Sequence, residues 1–374
     1  MIREEWIAVF AYAFPHRKTQ DFLQELVYAG FENIVVIAAP WRHLHHADSN
    51  SFPRKNLIDV NPTAPQQICD ALRLQYHALE HDDVEEISVL CERYQIKLGL
   101  VAGARIIKRG VIELFEEGIL NLHPGKIPET SGLDLFYYTI KFRVPMGVTA
   151  HYIDSRVDAG DILFFEEAPV HPDDKAAELQ YNNYQTQIRA LRRFISLRDR
   201  GELNRVSSNR PRKNNPMSAE EKQRVLQDLP VWRAAQVRAQ SGRRLIKACE
   251  DGLVSEMLSG LDMFPDLLEH RSDAGWTPLI VAAFHQRADV VKALLQRGAD
   301  PNASGKNGTT PLMYAKSALI SSQIFDTDVL TALLAAGADL SRCDCHGKDI
   351  FHYLERMGDS FLSTWLKQYA GDKP

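Results

Sequence analysis

The run 121–163, NLHPGKIPETSGLDLFYYTIKFRVPMGVTAHYIDSRVDAGDIL, gathers an asparagine, a histidine and aspartates in an arrangement suited to acyl transfer. Such a reaction needs a nucleophile that can shed its proton and donors for the negative charge that develops on the carbonyl oxygen. The Asn121 amide and a protonated His123 are suitable donors, each of a kind that typically supplies ~2.7–4 kcal/mol at an oxyanion. Asp158 would take or relay the proton that the nucleophile loses, and would hold His123 charged and oriented. These groups need elements to carry them. A strand-like stretch, Ile119 to His123, turns Asn121 and His123 to one side through its two-residue period. A second, Gly147 to Ile153, leads into a polar turn with Asp154, Asp158 and Asp161, so a carboxylate can reach the same place from a neighbouring strand.

A histidine after a strand also serves as a packed or capping residue, and an aspartate in Asp-x-Gly-Asp as a turn former. Asn121, His123 and Asp158 together are read as catalytic, and the side chains of Asp154, Asp161 and His151 as structural. Upstream, apolar runs at Trp6–Ala13, Ile34–Ala38 and Leu98–Ala102 alternate with helical spacing at Thr19–Ala29, Ala64–Leu74 and Val84–Tyr94. This βαβ pattern implies an α/β fold, a Rossmann-like, mostly parallel sheet with helices on both faces. Such sheets carry their sites beyond the carboxyl ends of strands, where Asn121 and His123 fall.

The two blocks resemble the formyltransferases that use N10-formyltetrahydrofolate. Asn121, His123, Pro124, Pro128 and Gly132 fit the first block, and Gly147, Thr149, Asp154, Asp158, Gly160 and Asp161 the second. The resemblance covers about the first half of the chain. It implies transfer of a formyl group from N10-formyltetrahydrofolate, through a tetrahedral intermediate, with release of tetrahydrofolate. It also implies a pterin pocket of backbone groups from Arg105, Ile106 and Ile107 and from Asp154 to Val157. Such an irregular segment can match the donor and acceptor edge of the ring. In Val101-Ala-Gly-Ala104, Gly103 serves either a close approach to that ligand or only its own turn.

The remaining composition narrows the class. A length of 374 residues suits two or three domains, and 45% apolar with 25% charged residues is ordinary for a globular protein. A net charge of −5 gives no bias towards nucleic acid. The basic, proline- and asparagine-rich stretch 201–217 lacks interleaved aromatics and reads as a connector. The start, MIREEWIAVFAYAF, fits neither a signal peptide nor a membrane span, so a cytoplasmic protein with no membrane partner is expected. Five scattered cysteines argue against a disulfide framework, and Cys343-Asp-Cys345-His346 lacks zinc-knuckle spacing, so no metal is expected.

From about Arg243 the sequence repeats. Gly275-Trp-Thr-Pro-Leu279 recurs 33 residues on as Gly308-Thr-Thr-Pro-Leu312, and Leu294-Leu-Gln-Arg-Gly-Ala-Asp300 recurs 39 residues on at Leu333–Asp339. This resembles ankyrin repeats, with an insertion within 317–328, a degenerate first unit near 245–268 and a last one near 347–357. The division expected is a catalytic domain over 1–200, a connector over 201–242 and an all-α ankyrin domain over 243–370.

The resemblance thins at the acceptor. Many relatives carry Arg before the glycine that follows the motif proline, and here Ser131 precedes Gly132, removing a bidentate phosphate or carboxylate contact. The histidines at 43, 45 and 46, with His77 and His81, are read as exposed loop residues. Ankyrin fusions of this kind resemble sugar N-formyltransferases, which implies the amine of a nucleotide-linked amino sugar as acceptor. A different small amine, water in a formyltetrahydrofolate hydrolase, and a non-catalytic ankyrin interaction protein are the rival readings. The resemblance further implies dimers, and repeats that bind a protein or a second ligand.

Overall fold

The structure is a computed structural model that describes residues 3–41, 62–155, 160–207, 213–322, 327–357 and 360–371. It divides into two compact units, Met1–Gln236 and Val237–Pro374.

The first unit runs β1 (Ile7–Tyr12), α1 (Arg17–Tyr28), β2 (Ile34–Ala39), α2 (Pro65–Leu72), β3 (Gln75–Ala78), α3 (Val84–Tyr94), β4 (Leu98–Val101), α4 (Arg109–Ile112), β5 (Gly118–His123), α5 (Leu135–Lys141), β6 (Gly147–Tyr152), β7 (Asp161–Glu167), α6 (Ala176–Asp199), β8 (Val206–Ser207) and α7 (Ala219–Gln227). Helix α8 (Leu229–Asp251) starts in this unit and continues into the second. One eight-stranded sheet is ordered β3-β2-β1-β4-β5-β6-β7-β8. Its first five strands are parallel, and β6, β7 and β8 join antiparallel.

Burial on both faces explains why β1 and β2 read as unbroken apolar runs rather than alternating ones. Ile7, Val9, Ile34 and Val36 pack in one apolar layer with Phe22, Leu23 and Leu191, while Ala8, Phe10, Val35 and Ile37 pack in the other with Ile87, Leu90 and Val111. In β5 the alternation decides the site. Leu120 and Leu122 enter the first layer and Ile119 the second, so Asn121 and His123 share the face of Ile119. Strand β3 has no apolar run and was not legible in the sequence; it is an edge strand paired only with β2.

The stretch 213–236 departs from the expected connector, because it is folded onto the first unit. The Met217 N–H donates to Asp134 (2.8 Å), whose carboxylate also pairs with Lys222 (2.8 Å). The Trp232 indole N–H donates to the Val144 carbonyl (3.1 Å), and Tyr138 donates to the Asn215 carbonyl (2.9 Å). The polar composition read as solvated thus supplies caps and ties instead. The first unit therefore extends beyond 200, to residue 236.

The second unit adds α9 (Val254–Met263), α10 (Pro278–Phe284), α11 (Ala288–Gln296), α12 (Pro311–Ser322), α13 (Asp328–Ala335), α14 (Ile350–Met357) and α15 (Ser360–Gly371). Thr277 caps α10, its hydroxyl accepting from the Ile280 N–H (3.2 Å), and Thr310 does the same for the Met313 N–H (3.4 Å). Leu279, Val291, Leu294, Leu312, Leu330 and Leu333 form one core with their counterparts in the flanking helices. The final unit continues past 357 into α15, a second helix that weak repeat spacing did not reveal. Among the described residues no helix is long and apolar enough to cross a membrane.

Candidate active site

Asn121 and His123 stand at the carboxyl end of β5, and the antiparallel register with β6 sets Asn121 opposite His151 and His123 opposite Thr149. All four side chains therefore lie on one face of the sheet. The Asn121 Nδ2 is 3.2 Å from the His151 Nε2. The His151 Nδ1 is 3.3 Å from the Tyr152 carbonyl oxygen, which can only accept, so Nδ1 carries the proton and Nε2 accepts from the Asn121 amide. That bond fixes which end of the amide is nitrogen. His151 is fully buried, and its side chain, read as structural from sequence, orients Asn121.

His123 is 4% exposed, with Nε2 3.2 Å from the Thr130 carbonyl oxygen, to which it donates. Its ring lies 6.3 Å from that of His151 at an interplanar angle of 79°. The loop from Pro124 to Thr130 is fastened from β6 and α6. The Thr149 hydroxyl donates to the Gly125 carbonyl (2.6 Å) and accepts from the Ile127 N–H (3.1 Å), and Asn183 donates to the Pro124 carbonyl (3.0 Å). Thr149 fitted the second motif block, but its grip on the His123 loop was not visible without the β5–β6 register.

Asp158 and Val157 lie outside the described residues, as do the histidines at 43, 45 and 46. Asp154 is half-buried just after β6.

The segment after β4 carries the residues that the resemblance implies for the donor ring. Ile106 is 71% exposed, whereas Ile107 is buried against Ile87 and Phe115. The Arg105 guanidinium is engaged by Glu80 and by the Pro40 carbonyl. Among the described residues no backbone hydrogen bond takes the N–H of Arg105, Ile106 or Ile107. Gly103 is closely approached from within the chain. A Cβ there would fall 2.8 Å from the His16 Nδ1 and 3.1 Å from the Tyr12 ring, so the glycine makes room for two of the chain's own side chains.

His81 is not a loop residue in solvent. It is 2% exposed, with Nε2 3.2 Å from the Ile37 carbonyl, and burial holds its imidazole below the usual range. His77 sits on β3, half-buried, and burial lowers its imidazole too. Ser131 is 1% exposed, so its hydroxyl presents no surface in place of the missing guanidinium. Among the described residues no group of three histidine, cysteine or acidic side chains is placed to hold a metal.

Residues 50–194 match the model of the formyl transferase family, and residues 245–344 match ankyrin repeats in three copies. A methionyl-tRNA formyltransferase of Alkaliphilus oremlandii is 26% identical over 111 residues, which is 29% of this chain and 36% of that protein. The trifunctional purine biosynthetic protein adenosine-3 of Gallus gallus is 30% identical over 108 residues, 28% of this chain and 11% of that protein. The chain thus spans about a third of the one curated relative and about a tenth of the other. Among solved structures, a sugar N-formyltransferase from a Shewanella species aligns with 60% of this chain and 88% of its own at 16% identity and a TM-score of 0.42. A 4-N formyltransferase from Francisella tularensis aligns with 59% and 86% at 14% identity and a TM-score of 0.40.

Proposed function

We propose that this chain, which carries a formyl transferase domain and a segment of three ankyrin repeats, moves the formyl group of N10-formyltetrahydrofolate to a primary amine. The observation that carries the reading is the shared face of Asn121 and His123 at the end of β5, each oriented by a buried partner. The donor supplies an activated formyl carbon. Its pterin edge is met by the backbone of Arg105, Ile106 and Ile107 and by the segment of Asp154 and Val157. Ile106 covers a ring face, and Gly103 lets the preceding turn pack against His16.

Asn121 and His123, the latter in its protonated form through Nδ1–H because Nε2–H is held by Thr130, stabilise the charge that develops on the formyl oxygen as the amine nitrogen bonds to carbon. The Asn121 amide is pre-aimed by His151, so no reorganisation is needed at the moment of reaction. Asp158 takes the proton that the amine nitrogen sheds, and a proton is delivered to the donor nitrogen as its bond to the formyl carbon breaks, so that tetrahydrofolate leaves as the neutral amine and Asp158 passes its proton on. The acceptor we assign is the amine of a nucleotide-linked amino sugar. The resemblance of the joined architecture to sugar N-formyltransferases supports that class. Homodimerisation, cytoplasmic residence and a ligand or protein partner for the repeats belong to the same reading.

The test is release of tetrahydrofolate from N10-formyltetrahydrofolate by the full chain, without acceptor, with small amines, and with dTDP-, UDP- and GDP-linked amino sugars. Release that requires one nucleotide sugar, with a mass gain of one formyl group, is the expected result. Release with water alone would replace the reading with a hydrolase, and release with a plain amine would move the acceptor out of the sugar class.

A further inference from the structure

The loop that leaves His123 is held on its far side by a residue some ninety positions later in the chain. Asn214 is 6% exposed, and its side-chain Nδ2 donates to two carbonyls, that of Glu129 (2.9 Å) and that of Ser131 (2.9 Å). Those carbonyls flank Thr130, whose own carbonyl accepts the N–H of His123. The backbone joins in: the Asn214 N–H donates to the Ser131 carbonyl (2.9 Å), and residue 214 forms a parallel bridge with Gly132. Gly132 has φ +102°, and a Cβ there would lie 2.6 Å from the Asn214 oxygen, so the motif glycine is what lets this segment lie against the loop.

We propose that Asn214 is a positioning residue for His123, acting through Thr130 from a segment that the sequence presents as a connector. One planar amide with two N–H groups bridges residues 129 and 131, which leaves the carbonyl between them aimed at the imidazole. That carbonyl holds the proton of neutral His123 on Nε2 and orients the ring whether it is neutral or charged. Pro128 and Gly132 in the motif shape the loop, and Asn214 fixes its final geometry. The neighbouring ties, Met217 to Asp134 and Lys222 to Asp134, keep the segment in register without touching residues 129–131.

The kinetic part of the test rests on the formyl transfer proposed above, and the spectroscopic part does not. In the full chain with 15N-labelled histidine, the His123 ring nitrogens, assigned through their loss in His123→Gln, should report the Nε2–H form. Asn214→Asp keeps the shape but turns an oxygen towards two carbonyls, and Asn214→Ser can reach only one of them. In both, the His123 signals should shift towards a mixture of tautomers. Turnover should fall by on the order of 100-fold in kcat, the scale of a small misplacement, while KM for the folate stays near the parent value. A folded Asn214→Asp or Asn214→Ser protein with parental His123 signals and parental kcat would overturn the assignment. If the substitutions at Asn214 unfold the chain, the protein with Asn214 intact decides. His123→Gln removes the imidazole that the Thr130 carbonyl faces and should move the Asn214 side-chain amide resonance, and an unmoved resonance would equally overturn the proposal. Absence of turnover with every acceptor would strike the formyl transfer reading and leave the tautomer result to judge this one.

Discussion

The polar bonds that hold the end of β5 span unequal stretches of the chain, while those that hold the repeat turns all span about one repeat. Asn121 to His151 spans 30 residues, Gly125 to Thr149 spans 24, and Glu129 to Asn214 spans 85. In the second unit, Arg271 to the Ser304 carbonyl spans 33, Asn302 to Gly337 spans 35, and Asp339 to Asn302 spans 37. The first pattern builds one unrepeated constellation from β5 with its loop, β6, α6 and the segment at Asn214. The second builds nearest-neighbour contacts that recur. A chemical site that needs groups held to within fractions of an ångström draws on distant segments, whereas a stack of repeats gains stability from each adjacent pair.

The largest effect that would break this contrast lies at the reacting groups. Asn121→Ala removes the amide that His151 orients, and should lower turnover by about 100- to 1,000-fold, the usual loss for one oxyanion donor. Tetrahydrofolate release measures it. The first unit should unfold somewhat earlier, because the buried His151 Nε2 loses this partner at a cost of about 1–3 kcal/mol, while the transition of the second unit stays where it is. Turnover near that of the parent would remove Asn121 from the chemistry and leave the constellation a structural one.

How far sequence reached follows the same division. The common side of Asn121 and His123 was legible because strand alternation is local, and the repeats were legible because their spacing recurs at 33 residues. His151 as the partner of Asn121 was not, since it depends on the β5–β6 register, which the pleat of either strand alone cannot give. Asn214 was hidden by composition. Its surroundings are basic and proline-rich, and such stretches read as solvated until the carbonyls they meet are known. Gly103 was open between ligand approach and turn, and the His16 and Tyr12 side chains that crowd it come from a different strand and loop.

A middle-sized effect sharpens the contrast within the first unit. Thr149 is 1% exposed and serves the Gly125 carbonyl and the Ile127 N–H with one hydroxyl. Thr149→Val keeps the shape and leaves both backbone groups buried without that partner, each at a cost of about 1–3 kcal/mol. The unfolding transition of the first unit should move down, turnover should fall because the loop carries Thr130, and the transition of the repeats should stay where it is. A loss of stability without a loss of turnover would mean that the His123 loop tolerates slack, against the tight positioning inferred from its bonds.

The smallest effect belongs to the repeats. Thr277 is fully buried at the start of α10, with Pro278 in the first turn and its hydroxyl accepting from the Ile280 N–H. Thr277→Ala leaves that N–H without its cap and should cost about 1 kcal/mol. Because α10 packs on α11 and α12, the loss should appear as a lower transition for the second unit alone. Turnover at saturating substrate should not change, since no described bond of the β5 site involves residues 243–371. A parallel fall in kcat would show that the repeats are coupled to the reacting groups, and the division between a site held across the chain and a stack held by its neighbours would then fail.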